Sequence, residues 1–145
     1  MRIRKSLITG GIIQSGMVFL HKEQSAYDFN ETCERISKFL ESRNIPMFAT
    51  IDHRDNAEKA GLTLRPEKVI LFGSPLVGTH LIEENPDIGL ELPLRILVFH
   101  IDSSVIVGYF DYDSIVDEYH ISKSLDFAKR LAKLMKELSV FATHK

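Results

Sequence analysis

The sequence predicts an α+β fold: a two-layer domain with a mixed sheet of about five strands and helices, in the order β-α-β-α-β-α-β-β-α. Three observations predict it. Short apolar runs alternate with helix-period segments along residues 17–84. Pro93–Ile101 and Val105–Phe110 are strand-like runs joined by the turn-forming Asp102-Ser103-Ser104. The chain closes on a long stretch with one wide apolar face.

Each element has its own signal. Residues 17–22 read as a short strand. Asp28 with Glu31 three positions later is a capping-box-like start, and Phe29, Cys33, Ile36 and Leu40 recur at helical spacing. Asn44 and Pro46 end that helix, and residues 46–51 form a second strand with Pro46 at its first position. Asp52 caps a short helix to Ala60, with Gly61 as its left-handed stop. Glu67–Phe72 is apolar on both faces, as a buried strand is. A helix is expected around Gly78–Glu84, broken by Asn85-Pro86. The last helix runs from Ser122 or Ser124 to about Phe141, its apolar face built by Phe127, Ala128, Leu131, Leu134, Met135 and Leu138.

Length and composition fit one domain. At 145 residues the chain can bury a core without disulfides, and 44% apolar with 26% charged residues is ordinary for a soluble globular protein. Residues 1–16 are expected as an N-terminal extension or extra edge strand, and 17–145 as a single α+β domain. The apolar run after Met1 is interrupted by Gly10, Gly11, Gln14 and Gly16 and has no cleavage pattern, so no signal peptide is expected. No stretch reaches the ~20 apolar residues of a membrane span. A cytoplasmic protein follows as the expectation, and the lone Cys33 fits a structural thiol on a helix stripe.

A formal charge of -2 argues against general attraction to nucleic acid or anionic membrane. Charge is uneven: Lys123, Lys129, Arg130, Lys133, Lys136 and Lys145 face only Asp126 and Glu137 in residues 122–145. Without interleaved aromatics this is a solvated helix face, and no nucleic-acid partner is expected.

Asp52-His53…Asn56-Ala57…Ala60-Gly61-Leu62…Arg65-Pro66, then Phe72-Gly73…Pro75…Gly78-Thr79, Leu92-Pro93-Leu94, Tyr109 and His120 together resemble the domain-of-unknown-function family DUF302. The resemblance covers roughly Met17 to Ile121. It implies a compact α+β domain and a homodimer, with no established activity.

The candidate site is a polar pocket at Asp52 and His53, with Asn56, Arg65 and His120 around it, expected to hold a small ligand or anion. An imidazole titrates near neutrality, and a carboxylate beside it can fix its tautomer. The competing structural reading has Asp52 capping helix amides. If folding joins His53 to His120, the pair could act in acid–base chemistry or ligate a metal or haem, but no close His/Cys pair supports ligation, and no metal site is expected. His21, His80, His100 and His144 read as surface or strand-end residues. Gly73 to His80 matches the glycine spacing of a phosphate loop but has Thr79 at the lysine position, so only a modest anion site at the Gly78 and Thr79 amides remains. Arg65, pushed extended by Pro66, reaches Asp52 or an anion. Tyr109 and Tyr112, near Asp111 and Asp113, line the same rim.

Two alternatives stand beside the binding module. One is an enzyme using His53 as general base oriented by Asp52 on a small substrate, although no nucleophile elbow or cofactor fingerprint accompanies it. The other is an assembly module without a ligand, dimerising through the last helix at Leu131 and Met135.

Overall fold

The computed structural model describes residues 4–6, 18–121 and 125–145. Its centre is a six-stranded sheet in the order β1-β2-β6-β5-β4-β3, from β1 (Arg4–Ser6), β2 (Val18–Gln24), β3 (Met47–Asp52), β4 (Glu67–Phe72), β5 (Leu94–Ile101) and β6 (Ser104–Phe110). β1 runs parallel to β2 and every other pair is antiparallel, which makes the sheet mixed as expected, with one strand more. The added strand lies in the N-terminal extension; most of that extension falls outside the described residues.

Two helices form most of the second layer. α1 (Phe29–Ser42) starts at Asp28, whose carboxylate accepts from the Glu31 amide at 2.8 Å. It ends on Asn44 at φ 54, with the Ile45 amide reaching back to the Leu40 carbonyl. α5 (Leu125–Thr143) packs on α1, and Ile36, Phe39 and Leu40 of α1 meet Leu131, Met135 and Leu138 of α5 in the core over Ile70, Ile96, Val98 and Val107. Burying such side chains contributes roughly 1.5–3 kcal/mol each before conformational entropy is set against it. The expected start of α5 at Ser122 or Ser124 lies outside the described residues.

Four expectations are corrected. α3 (Pro75–Glu84) begins three residues before Gly78, because Pro75 suits the first turn, where its missing N–H is no loss. The segment after β6 is a full helix, α4 (Tyr112–Glu118), with Tyr112, Ile115 and Val116 buried. The hairpin turn is Asp102-Ser103, since Ile101 pairs directly with Ser104 and Asp102 takes φ 53. The apolar face of α5 is internal: Leu131 is 6% and Met135 1% exposed, so neither offers a surface to a second copy.

Strand alternation divides the sheet into two unlike faces. Ile70, Phe72, Leu94, Ile96, Val98, Val105 and Val107 point under the helices and are buried. The other face carries no helical layer among the described residues. Register places Ile51, Val69, Leu97 and Gly108 in one row across it and Ala49, Leu71 and Arg95 in the next, beside the Leu20–Phe110 pair.

Candidate functional site

The uncovered sheet face forms a trough of about 600 Å³. Its floor is apolar, from Leu20, Ile51, Val69, Leu71, Leu97 and Gly108. His53 and Glu67 stand at one end, and Arg95 with Phe110, Leu92 and Pro93 at the other. Alternation makes this possible, because Glu67, Val69 and Leu71 occupy every second position of β4, as Arg95 and Leu97 do in β5.

Arg95 is held from several sides. Its Nη2 donates to Glu91 Oε2 at 3.1 Å, and its guanidinium carbon lies 5.4 Å from the centre of the Phe110 ring. Glu91 is 2% exposed and also accepts from the Tyr119 hydroxyl at 3.1 Å. Among the described residues Arg95 Nε is buried without a hydrogen-bond partner. A guanidinium offers five donors in a fixed fork, so Glu91 does not exhaust it. Neither Glu91 nor Arg95 was among the expected site residues. Their signal was faint: two charges four residues apart within an otherwise apolar run, Leu90 to Leu97.

The expected site residues are dispersed. Asp52 caps α2 (His53–Lys59), accepting from the Asp55 amide at 2.9 Å, and its other oxygen lies 3.8 Å from Lys68 Nζ. Lys68 is the register partner of Asp52 and lines a small cleft with Cys33 and Thr50 on the helix-covered side. His53, one residue on, lines the trough instead. The carboxylate and the imidazole therefore serve opposite faces. Asn56 is exposed on α2, and its carbonyl accepts from the Ala60 amide. Arg65 reaches neither Asp52 nor an open cavity but Glu67, at 3.4 Å, on the trough rim.

The anion site at Gly78 and Thr79 is not formed. Once α3 begins at Pro75, the Gly78 amide bonds the Ser74 carbonyl at 3.0 Å, and the Thr79 hydroxyl donates to the Pro75 carbonyl at 2.7 Å. Both residues line instead an apolar pocket of about 450 Å³ with Phe48, Leu81 and Leu94.

His120 stops α4. It is exposed and has φ 55; its amide bonds Asp117 O, and the next amide, of Ile121, bonds Val116 O. These two bonds are the helix-ending pair that normally favours glycine. α4 packs on α5 and β2, away from the β3 end that carries His53. The two histidines are thus not brought into one site. Among the described residues no three His, Cys, Asp or Glu side chains are grouped to hold a metal ion.

Tyr109 lines the trough edge and also a second, polar cavity of about 380 Å³ on the helix-covered side. There its ring stacks on His21 with centroids 5.1 Å apart, and His21 Nε2 lies 3.4 Å from Asp111 Oδ1. The hydrogen bond from His21 holds the Asp111 carboxyl below its ordinary range, against the opposing effect of burial. Burial, with Glu23 and Asp111 nearby, pushes the Tyr109 phenol up. Sequence position marks His21 only as a surface or strand-end residue; its partner Asp111 is far along the chain, so no local spacing reveals the pair.

The family model for the domain of unknown function DUF302 matches residues 21–138. The fold is similar to the crystal structure of an uncharacterized conserved DUF302 protein from Bacillus stearothermophilus, with a TM-score of 0.76 and 16% identity over 85% of this chain and 97% of that one. Similar stretches also occur in proteins named fluoride-specific ion channel FluC 1, from Brucella suis biovar 1 (strain 1330) and Brucella abortus biovar 1 (strain 9-941). Each is 39% identical over 88 residues, which is 61% of this chain and 34% and 32% of those proteins. The chain thus spans about a third of the length of these relatives. With the family model matching most of its length, the chain belongs to the DUF302 family.

Proposed function

We propose that this chain is a small-ligand binding module whose ligand lies in the trough, an amphipathic anion with its apolar body on the sheet and its charge at Arg95. The observation that carries the reading is the uncovered apolar floor between Arg95 and His53. Apolar surface is worth about 25 cal/mol per Å² when a ligand removes it from water. A guanidinium with donors to spare supplies orientation. His53 and Glu67, with Arg65, would read the far end of the ligand. The single free thiol accords with the cytoplasmic location that belongs to this proposal.

The same open face favours a second reading, a homodimer in which another copy covers the trough, since exposed apolar surface of this kind also marks protein interfaces. The enzyme reading gains no support from an Asp52 that faces away from His53. As for the fluoride-channel relatives, no described helix is long and apolar enough to cross a membrane.

The probe is 8-anilinonaphthalene-1-sulfonate, an aromatic sulfonate. Fluorescence enhancement on the native protein, lost in Leu97→Glu at unchanged sedimentation, supports the trough as a ligand site. A dimer that excludes the dye and becomes monomeric in Leu97→Glu supports the second copy. A monomer that ignores the dye sinks both readings.

A further inference from the structure

Sheet register fixes the length of the trough. Arg95 pairs with Leu71, and Glu67 lies four residues before Leu71 on β4, on the same face of the sheet. Strand rise and the spacing between β4 and β5 put the backbones of Arg95 and Glu67 about 14 Å apart. Between them the middle row is apolar from β6 to β3, through Gly108, Leu97, Val69 and Ile51.

Each end keeps hydrogen-bonding capacity toward the trough. The Arg95 side chain is 35% exposed, although Glu91 accepts from its Nη2. At the other end Glu67 is half-buried, with Arg65 Nη2 3.4 Å from its Oε1. A carboxylate has about four lone-pair sites, so Arg65 occupies only part of it. A bare methyl group laid against Glu67 would strip water from the carboxylate and return nothing. A hydroxyl there donates to it instead. His53 lines the same end, and a neutral imidazole both donates and accepts. A donor fork and an acceptor thus stand at a fixed separation across an apolar floor.

Given the trough as the ligand site, on which this rests, we propose that its ligand is a medium-chain carboxylic acid of about ten carbons bearing a hydroxyl at its far end. An extended alkyl chain advances about 1.3 Å per carbon, so about ten carbons cover the span from Arg95 to Glu67. The carboxylate lies on the Arg95 guanidinium, a pairing that suits its planar fork. The chain crosses Leu97 and Val69, and the terminal hydroxyl donates to Glu67. A longer chain runs past Glu67 and leaves the apolar floor.

The probe is 10-hydroxydecanoate, titrated calorimetrically beside hexanoate, decanoate and tetradecanoate. Affinity should rise about tenfold from hexanoate to decanoate, as methylenes cover the floor, and by no more than about twofold from decanoate to tetradecanoate. The hydroxylated acid should bind about fivefold tighter than decanoate, and Glu67→Met should reverse that order. Decanoate binding retained in Glu67→Met shows that the variant is folded. A tenfold gain from decanoate to tetradecanoate overturns the proposal. So does a hydroxyl that fails to strengthen binding to the native protein, or a preference that survives Glu67→Met. Dye bound in the trough with none of the acids bound overturns the proposal and leaves the trough standing as a ligand site. If neither dye nor acids bind, both fall.

Discussion

The carboxylate of Asp52 lies 3.8 Å from Lys68 Nζ, across the β3–β4 pair and on the side of the sheet away from the His53 ring. Two residues that are neighbours in the chain thus have unrelated duties: Asp52 caps and pairs, while His53 faces the trough. Replacing Asp52 by Ala removes the bond to the Asp55 amide and should cost about 1 kcal/mol of stability, whereas Asp52→Asn retains the cap and most of that stability. Denaturant titration reads the difference. His53→Ala should stay within about 0.5 kcal/mol of the native protein. A large loss there would assign His53 a structural duty instead.

Glu91 is the most consequential buried charge. It accepts from Tyr119 with one oxygen and from Arg95 with the other, at 2% exposure. Glu91→Ala removes the carboxylate that accepts from the Arg95 guanidinium and the Tyr119 phenol and should lower stability by about 3 kcal/mol. Glu91→Gln preserves an acceptor for Tyr119 and should cost less. Equal losses in the two variants would show that the packing of the side chain matters and its charge does not.

His120 occupies a backbone position that suits glycine, at φ 55, and its ring is exposed. A left-handed conformation costs an L-residue roughly 1–2 kcal/mol, of which glycine's extra chain entropy gives back about 0.5–1. His120→Gly should therefore raise stability by about 0.5–1 kcal/mol. If the histidine has a role in binding, the variant will gain stability and lose affinity together, and thermal melting paired with a ligand titration separates the two cases.

Burial pushes the Cys33 thiol from 9.0 up to about 11, with Lys68 opposing and Asp52 adding to the shift. At pH 8 its thiolate fraction is about a hundredfold below that of an unshifted thiol, and iodoacetamide should react correspondingly slowly until the protein is unfolded. The folded state holds this proton longer than the unfolded one, so stability should fall as pH rises from 9.0 through about 11. Rapid alkylation of the native protein at pH 8 would contradict the burial.

The acid limb has the opposite sign. Asp111 is held below its ordinary 3.8 by the His21 hydrogen bond, so the unfolded chain takes up this proton first as pH falls. Its contribution is complete above about pH 5 and disappears as pH drops through the folded value. Asp111→Asn should flatten the stability profile in that window. An unchanged profile would mean that the His21–Asp111 contact carries no net free energy in solution.

Where backbone preference and hydrophobic period act within a few residues, the chain is legible. Asp28 and Asp52 are caps, Gly61 is a left-handed stop at φ 78, and β4 is the apolar strand its composition suggests. α4 is only weakly marked in the sequence, as a helical segment ending before His120, because Tyr112–Glu118 offers only two turns, and its burial depends on α5 and β2, which no window of that length contains. Pro75 moved α3 forward and thereby closed the amides at Gly78 that an anion would need.

Motifs spread from Met17 to Ile121 carry the family resemblance, while the α+β class and the places where helices begin and stop are legible because they rest on preferences acting within a turn or two. Only the tertiary structure decided which polar groups meet. The break from β3 into α2 sent Asp52 and His53 to opposite faces, sheet register set His21 beside Tyr109, and the entry into α4 brought Asp111 to His21. Packing buried Glu91 against Tyr119 and closed the apolar face of α5. Those pairings join residues tens of positions apart, and their free energy depends on burial, which exists only once the two layers have come together.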